Sequence, residues 1–171
     1  MTRVAVIGNA GGGKSTLCRA LSTARHLPFF PVDHWQWKPG WIPAPYEEVK
    51  ARHDDILARE RWIIDGWGPH DLIMARFAAA DTIILVDHPL AIHYWWAIKR
   101  QVVSIFSPSP DTPDGCGLLP MTWPLLKMIW DIHYHARPQL LAMVNQYRTE
   151  KHVFHIRSPH ELQAFRQAYC A

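Results

Sequence analysis

The chain has 171 residues, 18 Lys and Arg against 15 Asp and Glu, and a formal net charge of +3. That length suits one α/β domain, residues 1–171, with a sizeable core; the mild charge comes without a dense basic run, so DNA is not expected as a partner, while an anionic small molecule is. Three scattered cysteines (Cys18, Cys116, Cys170) with no Cys-x-x-Cys pair argue against disulfides and a zinc site and fit a reducing cytoplasm.

In chain order, Arg3 to Ile7 is a β-branched run that reads as a buried parallel strand. Ser15 to Arg25 has helical spacing, with Leu17, Ala20, Leu21 and Ala24 on one face. Leu27 to Val32 reads as a second strand ending at Asp33, followed by an aromatic loop, His34 to Trp41. Pro45 to Glu60 reads as a polar helix. Trp62 to Ile64 is a third strand that stops at Asp65-Gly66. Asp71 to Ala80 reads as a helix, Thr82 to Val86 as a fourth strand ending at Asp87, and Leu90 to Phe106 as a long helix. The segment 107–120 is too rich in Pro, Gly, Ser and Asp to hold secondary structure and is a candidate lid loop. Met121 to Gln146 reads as helix with kinks expected at Pro124 and Pro138. Val153 to Ile156 is a fifth strand and His160 to Ala168 a closing helix. Strands alternating with helices predict a parallel sheet covered on both faces. No apolar segment precedes the first strand, so no secretory signal is expected. The apolar stretches 89–106 and 118–130 are interrupted by charges and prolines, so no membrane span is expected either. Of the eleven histidines, His133 and His135 do not share a helix face, and His152 and His155 point to opposite faces of a strand, which favours surface or core roles over metal binding.

Between the first strand and the first helix lies Gly8-Asn9-Ala10-Gly11-Gly12-Gly13-Lys14-Ser15, the spacing G-x-x-x-x-G-K-[ST] of a phosphate-binding P-loop. Glycines let backbone N–H groups converge on a polyphosphate, the lysine sets a cation against its β- and γ-phosphates, and the serine hydroxyl is placed for Mg²⁺. The helix that follows turns its positive end on the same anion. Thr16 either assists at the α-phosphate or only starts the helix. Ligands of such sheets bind past the carboxyl ends of the strands. Four strand ends there carry the P-loop, Asp33, Asp65-Gly66 and Asp87. Asp65 is the favoured second holder of the metal, because Gly66 lets a ligand approach the backbone; Asp87 either shares that task or caps the helix after Pro89. Asp33 stands where an acceptor hydroxyl needs a base or a substrate needs a hydrogen-bond acceptor, or else is a turn residue before the aromatic loop. The candidate lid carries no arginine, so phosphate-clamping cations are sought on its flanks, at Lys99, Arg100 and Arg137, with Arg76 near the end of the helix after Asp65. Trp35, Trp37 and Trp41 form either an aromatic wall for a ring-bearing acceptor or part of the core.

These segments together resemble the P-loop kinase-like proteins known as FlaR-type DNA topology modulation proteins, distant relatives of adenylate kinase. The residues that carry the resemblance are Gly8 to Thr16; Val32-Asp33 with Trp37-Lys38-Pro39-Gly40-Trp41; Arg61-Trp62-Ile63-Ile64-Asp65-Gly66; Arg76 with Ala80 to Asp87; and, later, Pro113-Asp114 to Cys116, Trp130, Arg137-Pro138 and Arg157-Ser158. The resemblance implies a P-loop NTPase fold of nucleoside-monophosphate-kinase type, its five strands in the order 2-3-1-4-5. It further implies ATP at Gly8 to Thr16, Asp65 at the Mg²⁺, and Arg76 facing a phosphate or another anion on the acceptor. The chain departs from that pattern at Trp67-Gly68-Pro69-His70, where the family has Asn-Tyr, and in its lid without basic residues. Both departures argue against a nucleoside monophosphate as acceptor. The leading expectation is an ATP- and Mg²⁺-dependent kinase for a small molecule, with Lys14, Asp33, Asp65, Arg100 and Arg137 as catalytic residues. A non-catalytic nucleotide-binding regulator is the second reading. A GTPase-like switch is the third, and it lacks any [NT]-K-x-D segment to read guanine.

Overall fold

In the computed structural model, which describes residues 1–106 and 112–170, the chain runs β1 (Arg3–Gly8), α1 (Lys14–Arg25), β2 (Phe29–Pro31), α2 (Asp33–Gln36), β3 (Trp37–Lys38), β4 (Ile42–Pro43), α3 (Tyr46–Leu57), β5 (Trp62–Asp65), α4 (His70–Ala79), β6 (Thr82–Val86), α5 (Leu90–Ser104), α6 (Thr122–Asp131), α7 (Arg137–Gln146), β7 (His152–Ile156) and α8 (Pro159–Tyr169). Residues 107–111, the first part of the candidate lid, lie outside the described residues. Five strands form one sheet in the order β2-β5-β1-β6-β7, every pair parallel. Numbering only these five along the chain, the order is the expected 2-3-1-4-5. The architecture is an α/β P-loop NTPase fold.

The sheet is buried on both faces, which explains why its strands are continuous apolar runs rather than alternating ones. Period-two geometry still divides them. Val4, Val6, Ile63, Ile84 and Val86 join Leu17, Cys18 and Leu21 of α1 and Leu162 and Phe165 of α8 in one core. Ala5, Ile7, Ile64, Ile83 and Leu85 join Ile73 and Phe77 of α4 and Leu140 and Val144 of α7 in the other. Register then sets the functional edge. Val6 pairs with Asp65, Gly8 with Val86 and Pro31 with Asp65, so the P-loop, Asp33 and Asp65 leave adjacent strands at one level.

Several elements differ from the sequence expectation. The second strand is limited to Phe29–Pro31. The aromatic loop is instead one helical turn, α2, followed by the antiparallel hairpin β3–β4, in which Trp37 pairs with Pro43 and Lys38 with Ile42. Its turn holds Gly40 at φ 78° and Trp41 at φ 61°, a conformation costly for a tryptophan and therefore held by outside contacts. Part of the segment expected to lack structure forms a 3-10 turn, Leu119–Met121. Pro124 falls in the first turn of α6, where its missing N–H costs nothing, so it kinks nothing. Pro138 does act. One turn before it the helix widens into a π-helical stretch, Ile132–Ala136, and Arg137 N–H reaches back to the Ile132 carbonyl. That detour avoids the clash of the proline ring with the carbonyl four residues earlier.

Candidate active site

The P-loop is braced on three sides. A Cβ at Gly8 would lie 2.0 Å from the Val86 carbonyl oxygen, and one at Gly11 would lie 2.4 Å from that of His93. The loop thus runs against neighbouring backbone where no side chain fits. Trp67 Nε1–H donates to the Gly8 carbonyl at 2.9 Å. Asn9 does not face the cavity; its amide donates to the Ile129 carbonyl at 2.8 Å and its carbonyl accepts from Ala10 N–H at 2.8 Å. His93 Nδ1 lies 2.9 Å from the Ala10 carbonyl oxygen, which requires the proton on Nδ1. Burial lowers the His93 pKa to about 4 and keeps the ring neutral.

A cavity of about 590 Å³ opens over this loop. Ala10 to Thr16 form its floor, Asp33, Gln36, Trp37 and Trp41 one side, and Asp65 to Trp67 the back. The α5–α6 pair closes the far side, with Trp96, Lys99 and Arg100 on α5 and Leu125 and Met128 on α6. Ser15 Oγ–H donates to Asp65 Oδ2 at 2.8 Å. Lys14 Nζ donates to the Asn9 carbonyl at 2.8 Å. Burial lowers the Lys14 pKa, opposed by the nearby charges of Asp65 and Asp33. Asp33 stands open to the cavity, yet the protein around it raises its pKa by desolvation, against the pull of Lys14 and Arg100. A carboxylate made more basic beside two cations suits proton acceptance.

Of the residues singled out from the sequence, Ala10 to Thr16, Asp33, Trp37, Trp41, Asp65, Gly66 and Arg100 meet in this cavity. Thr16 is exposed there. Gly8 and Asn9 shape the loop from beneath. Four residues belong elsewhere. Asp87 does not join Ser15 and Asp65: Arg137 donates to it through Nε at 2.6 Å and Nη2 at 3.0 Å, and His155 Nε2 lies 2.8 Å from the same carboxylate. Burial works against the Asp87 carboxylate, but these partners outweigh it and lower its pKa. The Arg137 side chain is committed to that pair, which corrects its expected place as a phosphate clamp, and Asp87 is corrected as a metal holder by the same contacts. Trp35 packs against the core. Arg76 is buried beneath Gly66, donating from Nη1 to its carbonyl at 2.8 Å; desolvation lowers its pKa to about 10 against the opposing charges of Asp65 and Asp33. It supports the back wall and does not line the cavity.

Among the polar lining residues, Arg19 and Gln36 were not singled out from the sequence, whereas Lys99, sought there as a clamping cation, does line the cavity. Arg19 follows Ser15 by four positions on α1, a spacing that puts both on one helix face and was available in the sequence. Gln36 had no signal, because its place depends on α2, which reads locally as loop. The cations absent from the lid are therefore supplied by α1 and α5. The hairpin is fastened to the described part of the lid: Trp41 Nε1–H donates to the Gly117 carbonyl at 2.8 Å, Gly40 N–H to that of Gly115 at 3.0 Å, and the Cys116 thiol lies 3.4 Å from the Lys38 carbonyl. These contacts hold Trp41 in its left-handed conformation.

The fold is of the kinase-like P-loop α/β type. Among solved structures the chain is similar to shikimate kinase from Acinetobacter baumannii in complex with shikimate, with 12% identity over 98% of this chain and 93% of that one and a TM-score of 0.56. It is similar to a gluconokinase from Sinorhizobium meliloti 1021, with 14% identity over 99% and 89% and a TM-score of 0.56. It is also similar to shikimate kinase from Bacteroides thetaiotaomicron, with 13% identity over 98% and 95% and a TM-score of 0.55. No family model and no curated protein sequence matches. At such identities the likeness establishes the fold. Among the described residues, no helix is long and apolar enough to cross a membrane.

Proposed function

We propose that the protein is an ATP-dependent kinase that phosphorylates a hydroxyl group of a small acceptor. The observation that carries this reading is the single cavity in which the P-loop, the Ser15–Asp65 pair, Asp33 and the cations Arg19, Lys99 and Arg100 face one another. Such an arrangement has a place for a polyphosphate, for a divalent cation, for a base and for charge neutralisation, which are the needs of phosphoryl transfer. The donor set fits the metal: a hydroxyl and a carboxylate 2.8 Å apart are hard oxygen ligands of the kind Mg²⁺ prefers. Ser15 and Asp65 would hold Mg²⁺, which when bound supplies charge neutralisation at the phosphates.

The residues divide the work. The P-loop amides and α1 bind the polyphosphate, and Lys14 balances charge on its terminal part. Asp33 orients the acceptor hydroxyl and takes its proton as the oxygen attacks phosphorus, while the diphosphate leaves on the P-loop. Arg100 lies near both Asp33 and Lys14 and offsets charge between them. Trp37 and Trp41, edge-to-face with ring centroids 5.8 Å apart, wall the acceptor side. Gln36 lines the same side and brings a polar side chain to the acceptor. The acceptor class favoured is thus a small polyhydroxylated or ring-bearing molecule. The FlaR-type resemblance of the motifs agrees with a P-loop phosphotransferase. The regulator reading leaned on the bare lid, and Arg19, Lys99 and Arg100 in the cavity weaken it.

The test is a transfer screen over sugars, sugar acids, nucleosides and cyclic polyols with ATP and GTP as donors. The expected result is labelled phosphate on one acceptor class with ATP preferred and loss of turnover in Lys14→Ala. Turnover that persists in Lys14→Ala, or a clear preference for GTP, would refute the assignment.

A further inference from the structure

The face of α5 and α6 that turns away from the cavity carries an unusual load of apolar side chains. Trp95 is 65% exposed, Trp123 78%, Trp130 48% and Tyr134 52%, and Ile98 and Val102 are exposed beside them. The spacing is helical. Trp95, Ile98 and Val102 follow i, i+3 and i+7 along α5. Trp123, Trp130 and Tyr134 follow i, i+7 and i+11 along α6 and the π-helical stretch. The two helices pack through Ala97, Leu125 and Ile129, and the Tyr94 hydroxyl donates to the Leu126 carbonyl at 3.3 Å. Ile98 lies one turn from Tyr94, and Trp130 one turn from Leu126. The two stripes therefore flank that seam and make one continuous surface.

We propose that this face is a two-fold interface between two copies of the chain. Aromatic side chains present about 150–250 Å² each, so the four exposed rings alone offer about 500 Å². With Ile98 and Val102 the face approaches the ~800 Å² per partner of a standard interface. It also reaches the upper size for an apolar patch on a soluble monomer, about 300–600 Å². The charges on it are self-complementary. Lys127 and Asp131, both exposed, sit one turn apart on α6, Lys127 between Trp123 and Trp130 and Asp131 at the edge of their stripe, 3.9 Å from His135 Nδ1. A two-fold axis passing between them sets Lys127 of each copy against Asp131 of the other, as an isologous contact requires. A carboxylate at the edge of the face also disfavours the other obvious occupant, an anionic lipid surface.

Sedimentation velocity at micromolar concentrations is expected to give a species of about twice the 19.7 kDa chain mass. Trp123→Glu with Trp130→Glu should shift it to monomer with an unchanged far-UV spectrum. Lys127→Asp and Asp131→Lys should each weaken the dimer at least tenfold, and the double exchange should restore it, a result that mere misfolding cannot mimic. A wild-type chain that is monomeric at 100 micromolar overturns the proposal. So does a dimer indifferent to these substitutions, and so does a monomer that instead binds phosphatidylserine vesicles through the same residues.

Discussion

The two walls of the cavity are built differently. The phosphate wall is local and over-determined: nine consecutive residues, with Gly8 and Gly11 set against neighbouring backbone and Trp67, His93 and the Ile129 carbonyl bracing the loop from outside. The acceptor wall is assembled from distant pieces. A one-turn helix and a two-residue hairpin hold Asp33, Gln36, Trp37 and Trp41, and segment 115–117 fastens the hairpin from 76 positions away. The contrast teaches which part of the function is fixed by fold and which is left to vary. In the proposed reading a polyphosphate, common to many reactions, is gripped rigidly, while the acceptor meets largely half-buried side chains on short elements.

The largest effect should come from the rigid wall. Gly8→Ala forces a Cβ to 2.0 Å from the Val86 carbonyl oxygen at φ 145°. It should cost about 4 kcal/mol by strain and overpacking combined, read by denaturant unfolding. A loss below about 1 kcal/mol would show that the loop yields.

Acid should reach both walls. His93 behind the P-loop and His53 beside Arg76 have pKa values lowered to about 4 by burial, with the Arg76 charge adding to the effect at His53. Both titrate near 6.5 when unfolded, so on acidification the unfolded chain takes up protons first. Their contribution is complete above pH 6.5 and is lost as pH falls from 6.5 to 4, at about 3 kcal/mol each. The stability profile over that window, and its flattening in His53→Leu, checks this.

Asp87→Asn separates architecture from chemistry. Removing the charge that Arg137 and His155 share should destabilise by about 2 kcal/mol while leaving Mg²⁺ dependence as it was. The same change at Asp65 should raise the Mg²⁺ requirement. A shift in Mg²⁺ dependence on Asp87→Asn would return that residue to the metal.

The smallest effect should come from the acceptor wall. Trp41→Phe removes the donation to Gly117, at a cost under about 1 kcal/mol. Nucleotide affinity should be unchanged and the acceptor KM should rise several-fold. Equal changes in both would dissolve the distinction between the walls.

The same distinction governs what could be read from sequence. The P-loop is a contiguous spacing rule, and the sheet follows from apolar runs separated by helical periods. The 2-3-1-4-5 strand order came from the resemblance carried by the motifs. Asp33 and Asp65 were legible because strand ends in a parallel sheet share an edge. Asp87 met the same criterion, but its partners Arg137 and His155 lie 50 and 68 positions later, and no local pattern announces a charge already committed. Trp35 and Trp37 are two apart in sequence, yet the turn of α2 sends one to the core and leaves the other at the cavity. Arg76 was expected to face an anion on the acceptor and instead lies buried beneath Gly66, a placement that leaves no mark in the sequence.

In the proposed function Asp33 serves transfer to an acceptor across a cavity whose floor binds ATP independently of it. The most direct measurement follows phosphate from γ-labelled ATP in the wild type, Lys14→Ala and Asp33→Asn, with nucleotide affinity determined on the same samples. The account predicts that Asp33→Asn binds ATP within about twofold of wild type but transfers at least about 100-fold more slowly, whereas Lys14→Ala loses transfer through its place at the phosphates. Transfer that survives Asp33→Asn unchanged, or ATP binding that collapses with it, would contradict the account.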